Sequence, residues 1–437
     1  MKTYYSPRSA LAVIIGNMIG IGVFTSLGFQ LVGIQGGVPI LMLWVLGGIM
    51  ALCGAASYAE LGAALPRSGG EYNFLGRIYH PMAGFISGWV SATIGFAAPI
   101  AAIAMAFGIF MTKAVPGLPE GWEKHLAVGL VLFVTFFHGR KRKDSGRLQV
   151  SSTVLKIGLI IIFCILALIF VPDPQPVRLI PIKNDLSTLI SPAFAVALIY
   201  VSYSYNGWNA ATYISGELEH PQRDLPKVLI VGTGFVKCLY VLINFVFLKV
   251  APVEVIVGQE DVAYIAANAA FGDLGGRLTA GMLGLLLISS VSAMTLAGPR
   301  ALQVIGQDFS ALKFLALTND EGLPYVAVWV QSIIAVAFIL TSTFEFILIF
   351  AGAMLAFNNF LAVLGVFVLR WREPDLPRPY RTWAYPFTPI LFLTIIGFTL
   401  IYTVQQKPTE AIFGLSVIMA GIIFYFISKA LGSKNRK

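Results

Sequence analysis

Long apolar runs, separated by short polar and glycine–proline stretches, repeat from one end of the chain to the other. Each run is about twenty residues or more, the helix length that crosses a hydrocarbon core. The pattern predicts membrane-spanning helices near 9–35, 38–64, 81–112, 124–140, 146–171, 188–216, 226–251, 275–308, 324–343, 345–370, 384–405 and 408–430, about twelve in all. No polar stretch is long enough for a separate soluble domain, so 1–437 reads as one all-α transmembrane domain. The first run is long and glycine-broken and has no small-residue cleavage site after it, so no cleavable signal is expected.

Two runs hold residues that fill a helix interior poorly. The first carries Gly16-Asn-Met-Ile-Gly-Ile-Gly22. Glycine gains the most backbone freedom when a helix opens. In lipid an opened backbone is tolerated only where protein buries it or it lines a cavity. The segment is thus a close helix crossing or a break, and a break is expected. It frees amide hydrogens at the start of one half-helix and carbonyls at the end of the other. Those features suit the carboxylate and ammonium of a zwitterion.

The second anomaly is Tyr200-Val-Ser-Tyr-Ser-Tyr-Asn-Gly-Trp-Asn209, with apolar residues on both sides from Ile190 to Ile214. Asn206-Gly207 is turn chemistry, so a second broken helix is expected. The breaks fall in spans one and six, an offset of five. An odd offset inverts the second unit, which pairs helices 1–5 (9–171) with helices 6–10 (188–370) and leaves helices 11–12 (384–430) outside. Paired interruptions point to a midplane binding site in a transporter. Position alone carries this symmetry, because the halves share no useful residue-by-residue repeat.

Composition agrees: 57% of the 437 residues are hydrophobic and 12% charged, about half the charge of soluble domains. Of the 30 Lys and Arg, 21 fall on the side assigned to the N-terminus, seven on the other, and Lys156 and Lys237 inside spans. By the positive-inside rule both termini are cytoplasmic in a cell membrane. The net charge of +9 is therefore topology rather than a nucleic-acid surface. Cys53, Cys164 and Cys238 read as small core residues, and the four scattered histidines give no metal spacing. No metal or cofactor is expected, and no His, Asp or Cys constellation suggests an enzyme.

Lys156 lies seven residues past Gln149, too deep to reach the headgroups easily, so a functional role is expected of it. Lys237 supports structural and functional readings equally. Glu60 reads as a structural carboxylate paired with an arginine on its own side. Gly95 to Ala106 in span three reads as close helix packing, and the hydroxyls Ser289, Ser290, Ser292 and Thr295 as bonded to their own backbone.

Five motifs in order now define a resemblance: Gly16-Asn-Met-Ile-Gly-Ile-Gly-Val-Phe24, Pro66-Arg-Ser-Gly-Gly-Glu-Tyr72, Tyr205-Asn-Gly-Trp-Asn209, His220-Pro-Gln-Arg-Asp-Leu-Pro226 and Arg370-Trp-Arg-Glu-Pro-Asp-Leu-Pro-Arg-Pro-Tyr380. The chain resembles the amino acid–polyamine–organocation (APC) transporters, in the L-amino acid transporter (LAT) branch. Among bacterial members it is most similar to alanine–serine–cysteine exchangers. The resemblance implies a LeuT-like 5+5 inverted repeat with broken helices 1 and 6. It implies that amides of Gly20, Ile21 and Gly22 hold a substrate carboxylate. Carbonyls of Met18, Tyr203 and Asn206 would hold its amino group. Tyr203 would be an aromatic gate, with Trp208 and Asn209 lining the same break. Lys156 would stand where sodium-coupled relatives hold a sodium ion. It would tie the broken first helix, at Gly16, to span eight through Ser289 or Ser290.

The family's eukaryotic members bind a heavy subunit through a cysteine between spans three and four. None is present here, so no disulfide-linked partner is expected, and the protein would work as a monomer or homodimer in the lipid bilayer. No acid sits in either break to balance a cationic side chain, whereas half-helix dipoles supply about half a charge at each end. Small neutral substrates such as alanine, serine, cysteine and glycine are therefore expected, and the resemblance implies that they are exchanged without sodium, by alternating access. The alternative is proton-coupled symport on the same fold, with Lys156 as the titrating group.

Overall fold

A computed structural model describes residues 6–34, 36–67, 69–119, 121–138, 145–320 and 322–434. The basic stretch 139–144, Ser68, the first five residues and the last three lie outside the described residues. All regular structure among the described residues is helical.

Among the described residues the apolar runs become helices in the expected order, nine of them long and apolar enough to cross a membrane, and they are numbered here as the sequence predicts. Span 1 is split into Pro7–Met18 and Gly22–Gly33, and span 2 is Gly37–Ala64. Span 3 runs Pro81–Ala114 and carries a π-helical turn at Ser91–Phe96. Spans 4 and 5 are Trp122–His138 and Ser145–Phe170. Span 6 is split into Pro192–Tyr205 and a 3-10 segment, Ala210–Glu217. Span 7 is Pro221–Val250, and span 8 lies within Val262–Asp308. Spans 9 to 12 are Tyr325–Thr341, Phe344–Arg372, Phe387–Gln406 and Pro408–Lys434. The Glu60 end of span 2 and the Arg370 end of span 10 meet on one face, called here the terminal face.

Helix starts follow local chemistry. Ser6 accepts from the Ser9 amide at 3.2 Å, ahead of Pro7. Ser191 does the same for Phe194 ahead of Pro192, also at 3.2 Å. A side-chain acceptor followed by proline at the first helical position is a strong start signal.

Burial separates core from periphery. In the apolar windows of spans 1, 2, 3 and 10 the buried share is 72, 67, 72 and 67%. In spans 5 and 12 it is 28 and 22%, as for helices that show one side to lipid. The small residues of span 3, including Ala97, Ala98, Ala101, Ala102 and Ala104, are fully buried, which is close packing.

The structure corrects one reading and adds two helices that the hydropathy pattern did not predict. Cys238 is exposed rather than a core residue. The stretch ahead of span 8 is helical over 262–271 and turns into the span at Gly272, whose φ of 72° suits glycine. The connection between spans 2 and 3 contains a helix, Glu71–Ile78, that buries Glu71, Phe74, Leu75 and Ile78. It follows Gly69 (φ 120°) and Gly70 (φ 52°), and it lies on the terminal face. On that face Glu60 takes Arg370 in a two-point pair, at 2.8 and 2.7 Å, and accepts the Thr382 amide at 2.7 Å. Its role is structural, as expected.

Candidate functional site

The first break is a tight turn. Ile19 has φ −73° and ψ 76°, and the Gly20 amide donates back to the Met18 carbonyl at 2.7 Å. This is an inverse γ-turn, a shape any residue adopts without strain. The helix restarts at Gly22, and the amides of Ile21, Gly22 and Val23 have no acceptor among the described residues. Unpaired amides at a helix start concentrate the positive end of its dipole.

The second break uses a different turn. Asn206 has φ −58° and ψ 146°, and Gly207 follows at φ 105°. That is type II geometry, which needs glycine at its third position. The side-chain Oδ1 of Asn206 is buried and has no hydrogen-bond partner among the described residues.

The two breaks touch. A Cβ added to Gly22 would lie 2.4 Å from Ser204 Oγ and 2.9 Å from Ser204 Cα. One added to Gly207 would lie 3.0 Å from the Asn17 carbonyl carbon. The Ser26 and Ser204 hydroxyls are 3.3 Å apart. Glycine is required at both contacts because the main chains have no room for a side chain.

Tyr240 of span 7 joins the breaks. Its hydroxyl donates to the Met18 carbonyl and lies 3.1 Å from the Ser204 carbonyl. Sequence reasoning missed it, because a tyrosine in an apolar run carries no spacing signal. The available clue was that a buried phenol needs an acceptor and an opened helix supplies one. Thr153 of span 5, also missed, donates to the Ala12 carbonyl at 3.1 Å and ties span 5 to the first half of span 1.

Lys156 is 5% exposed, so its ammonium does not reach the headgroups. Nζ donates to Ser290 Oγ at 2.6 Å. Among the described residues it has no acidic partner. Ser289 instead bonds the Leu286 carbonyl at 2.7 Å. Lys156 and Ser290 line two small cavities, each with room for about one water. Gly16, Asn17 and Gly20 share the first, so the structure brings Lys156, Ser290 and the first break together.

The three residues expected over the second break separate. Tyr203 is 8% exposed, packs against Gly352 of span 10, and its hydroxyl has no partner among the described residues. Trp208 turns away into a slot between spans 2 and 11, with its ring near-perpendicular to those of Tyr58 at 4.6 Å and Phe392 at 6.5 Å. Asn209 donates to Glu71. The stem of Lys237 packs against Gly48. No cluster of His, Cys, Asp and Glu suited to a metal occurs among the described residues.

A family model described as amino acid permease matches residues 5–425. The chain belongs to the amino acid permease family. It is a multi-pass membrane transporter of the APC type, not an enzyme. It is similar to the serine/threonine exchanger SteT of Bacillus subtilis, 28% identical over 436 residues, covering 98% of this chain and 96% of that protein. It is 27% identical over 443 residues to the human large neutral amino acids transporter small subunit 2, covering 96% and 79%. The mouse Asc-type amino acid transporter 1 is 26% identical over 455 residues, covering 98% and 81%. The permease carries two interrupted helices whose interruptions meet.

Proposed function

We propose that the chain exchanges small neutral L-amino acids across a cell membrane without sodium, by alternating access around the crossed breaks. One observation carries the reading. Three unpaired amides, at Ile21, Gly22 and Val23, belong to one break, and the unpaired Asn206 Oδ1 belongs to the other. Unpaired donors suit a carboxylate and an unpaired acceptor suits an ammonium, so the pair complements a zwitterion without any charged side chain. Gly20, whose amide bonds Met18 in this structure, adds its donor when that turn opens. The carbonyls of Met18, Tyr203 and Asn206 complete the ammonium side, with Tyr203 as gate. The buried ammonium of Lys156 supplies a fixed positive charge beside the first break, which makes a bound cation there redundant. The names of the relatives, an exchanger among them, support amino acid exchange.

On this reading spans 1–5 and 6–10 are the inverted units, both termini are cytoplasmic, and no heavy subunit is needed. A second reading, proton-coupled symport, is favoured by one feature: Lys156 is buried against a neutral serine rather than a carboxylate. Radiolabelled serine and alanine uptake into sodium-free proteoliposomes separates the two. Exchange needs amino acid inside. Accumulation into empty vesicles under an inward proton gradient supports symport, and uptake that requires sodium overturns both.

A further inference from the structure

Glu71 opens the helix on the terminal face and is 1% exposed. Its Oε1 accepts from Tyr58 Oη at 2.9 Å and from Asn209 Nδ2, and its Oε2 accepts from Tyr213 Oη. Among the described residues it makes no ion pair. A carboxylate buried without a cation must be satisfied by neutral donors, and here three reach it. Two of the three, Asn209 and Tyr213, come from the half of span 6 that follows the second break.

The donors are themselves anchored. Tyr58 Oη lies 2.7 Å from Asn359 Oδ1 of span 10, and its ring meets Trp208 edge-on. Tyr213 Oη lies 3.4 Å from Ser91 Oγ in the π-turn of span 3, and its ring is 6.1 Å from that of Phe96. A Cβ added to Gly70 would sit 3.0 Å from the Tyr213 ring, so the helix start abuts span 6 directly. One carboxylate therefore gathers spans 2, 3, 6 and 10 on the terminal-face side of the break.

We propose that Glu71 is a positioning residue for transport: it holds the second half of span 6 in the arrangement that closes the site toward the terminal face. The proposal rests on the transport reading given above. Moving that half-helix outward strips two of three donors from a buried carboxylate, so it must be coupled to water reaching Glu71. Glu71 thereby sets how readily the site opens on this face and acts on the substrate only through Asn209 and the break.

The test is E71Q in proteoliposomes, with serine titrated separately on each face in an exchange assay. Gln keeps the size of the side chain but places N–H donors against donors. The expected result is a change of about fivefold in KM on the terminal face, the scale of one lost hydrogen bond, with KM on the opposite face within about twofold. Tyr213→Phe removes a single donor and shifts the same KM in the same direction by less, and it decides the matter if E71Q does not fold. Equal shifts on both faces, or no shift on either, overturn the proposal. Hydrogen exchange over residues 210–217 in detergent gives a readout independent of transport. Faster exchange in either variant supports the proposal even if serine is not the substrate, and unchanged protection overturns it.

Discussion

At Asn206-Gly207 the bend is written into two adjacent residues, a turn former and a glycine at φ 105°. At Ile19-Gly20 the dihedrals are ordinary, and the opened backbone is held from outside by the Tyr240 hydroxyl, with the Lys156–Ser290 pair lining a small cavity beside it. The two breaks meet, yet one is local and the other tertiary. A local turn keeps its shape when neighbours move. A turn held by other helices shifts when they shift, which makes the first break the natural point for helix rocking to reach the substrate.

The largest expected effect tests the local break. Gly207→Ala forces a left-handed backbone on an L residue, costing about 1–3 kcal/mol, and also presses Cβ against Asn17. Exchange should fall by about a hundredfold or more, with a lower melting temperature in detergent. Normal exchange by this variant would show that the second break does not need its turn.

Lys156→Ala comes next. It empties a buried ammonium site beside the first break, and turnover should fall by about tenfold or become unequal between the two faces. Unchanged kinetics from both sides would remove Lys156 from the mechanism.

Tyr240→Phe takes the shared donor from the Met18 and Ser204 carbonyls, a loss of about 1–3 kcal/mol where acceptors stay buried. A melting shift with a raised KM is expected, and a parent-like melt would mean that the first break holds itself. Tyr203→Ala should raise KM by about threefold through weaker retention of substrate. Parent-like uptake and affinity would sink the gate assignment.

The smallest effect is expected for Gly20→Ala. Its Cβ would meet nothing nearer than the Met18 carbonyl oxygen at 3.9 Å, so the variant should melt close to the parent. If it melts as low as Gly207→Ala, the contrast between the breaks is gone.

Much of this was legible beforehand. Runs of apolar residues gave the spans because lipid enforces helix length and internal hydrogen bonding. Asn206-Gly207 and the glycines from Gly16 to Gly22 located both breaks, because helix-opening residues are conspicuous in an apolar run. Side-chain direction was not legible. The resemblance put Trp208 and Asn209 along the second break, but it did not give their directions: one packs between spans 2 and 11 and the other donates to Glu71. Tyr240 and Thr153 carried no spacing signal, because their partners in the first helix are main-chain carbonyls over a hundred residues away. The helix at Glu71–Ile78 was not read from the sequence, because its apolar face is short.

The sequence by itself determined that the chain crosses a membrane many times and where two of its helices open. Both are consequences of local hydropathy and backbone freedom. Only the tertiary structure decided that the openings meet, that Tyr240 bridges them and that Ser290 rather than Ser289 takes Lys156. Those outcomes depend on which faces of distant helices pack together, and hydropathy leaves that choice open.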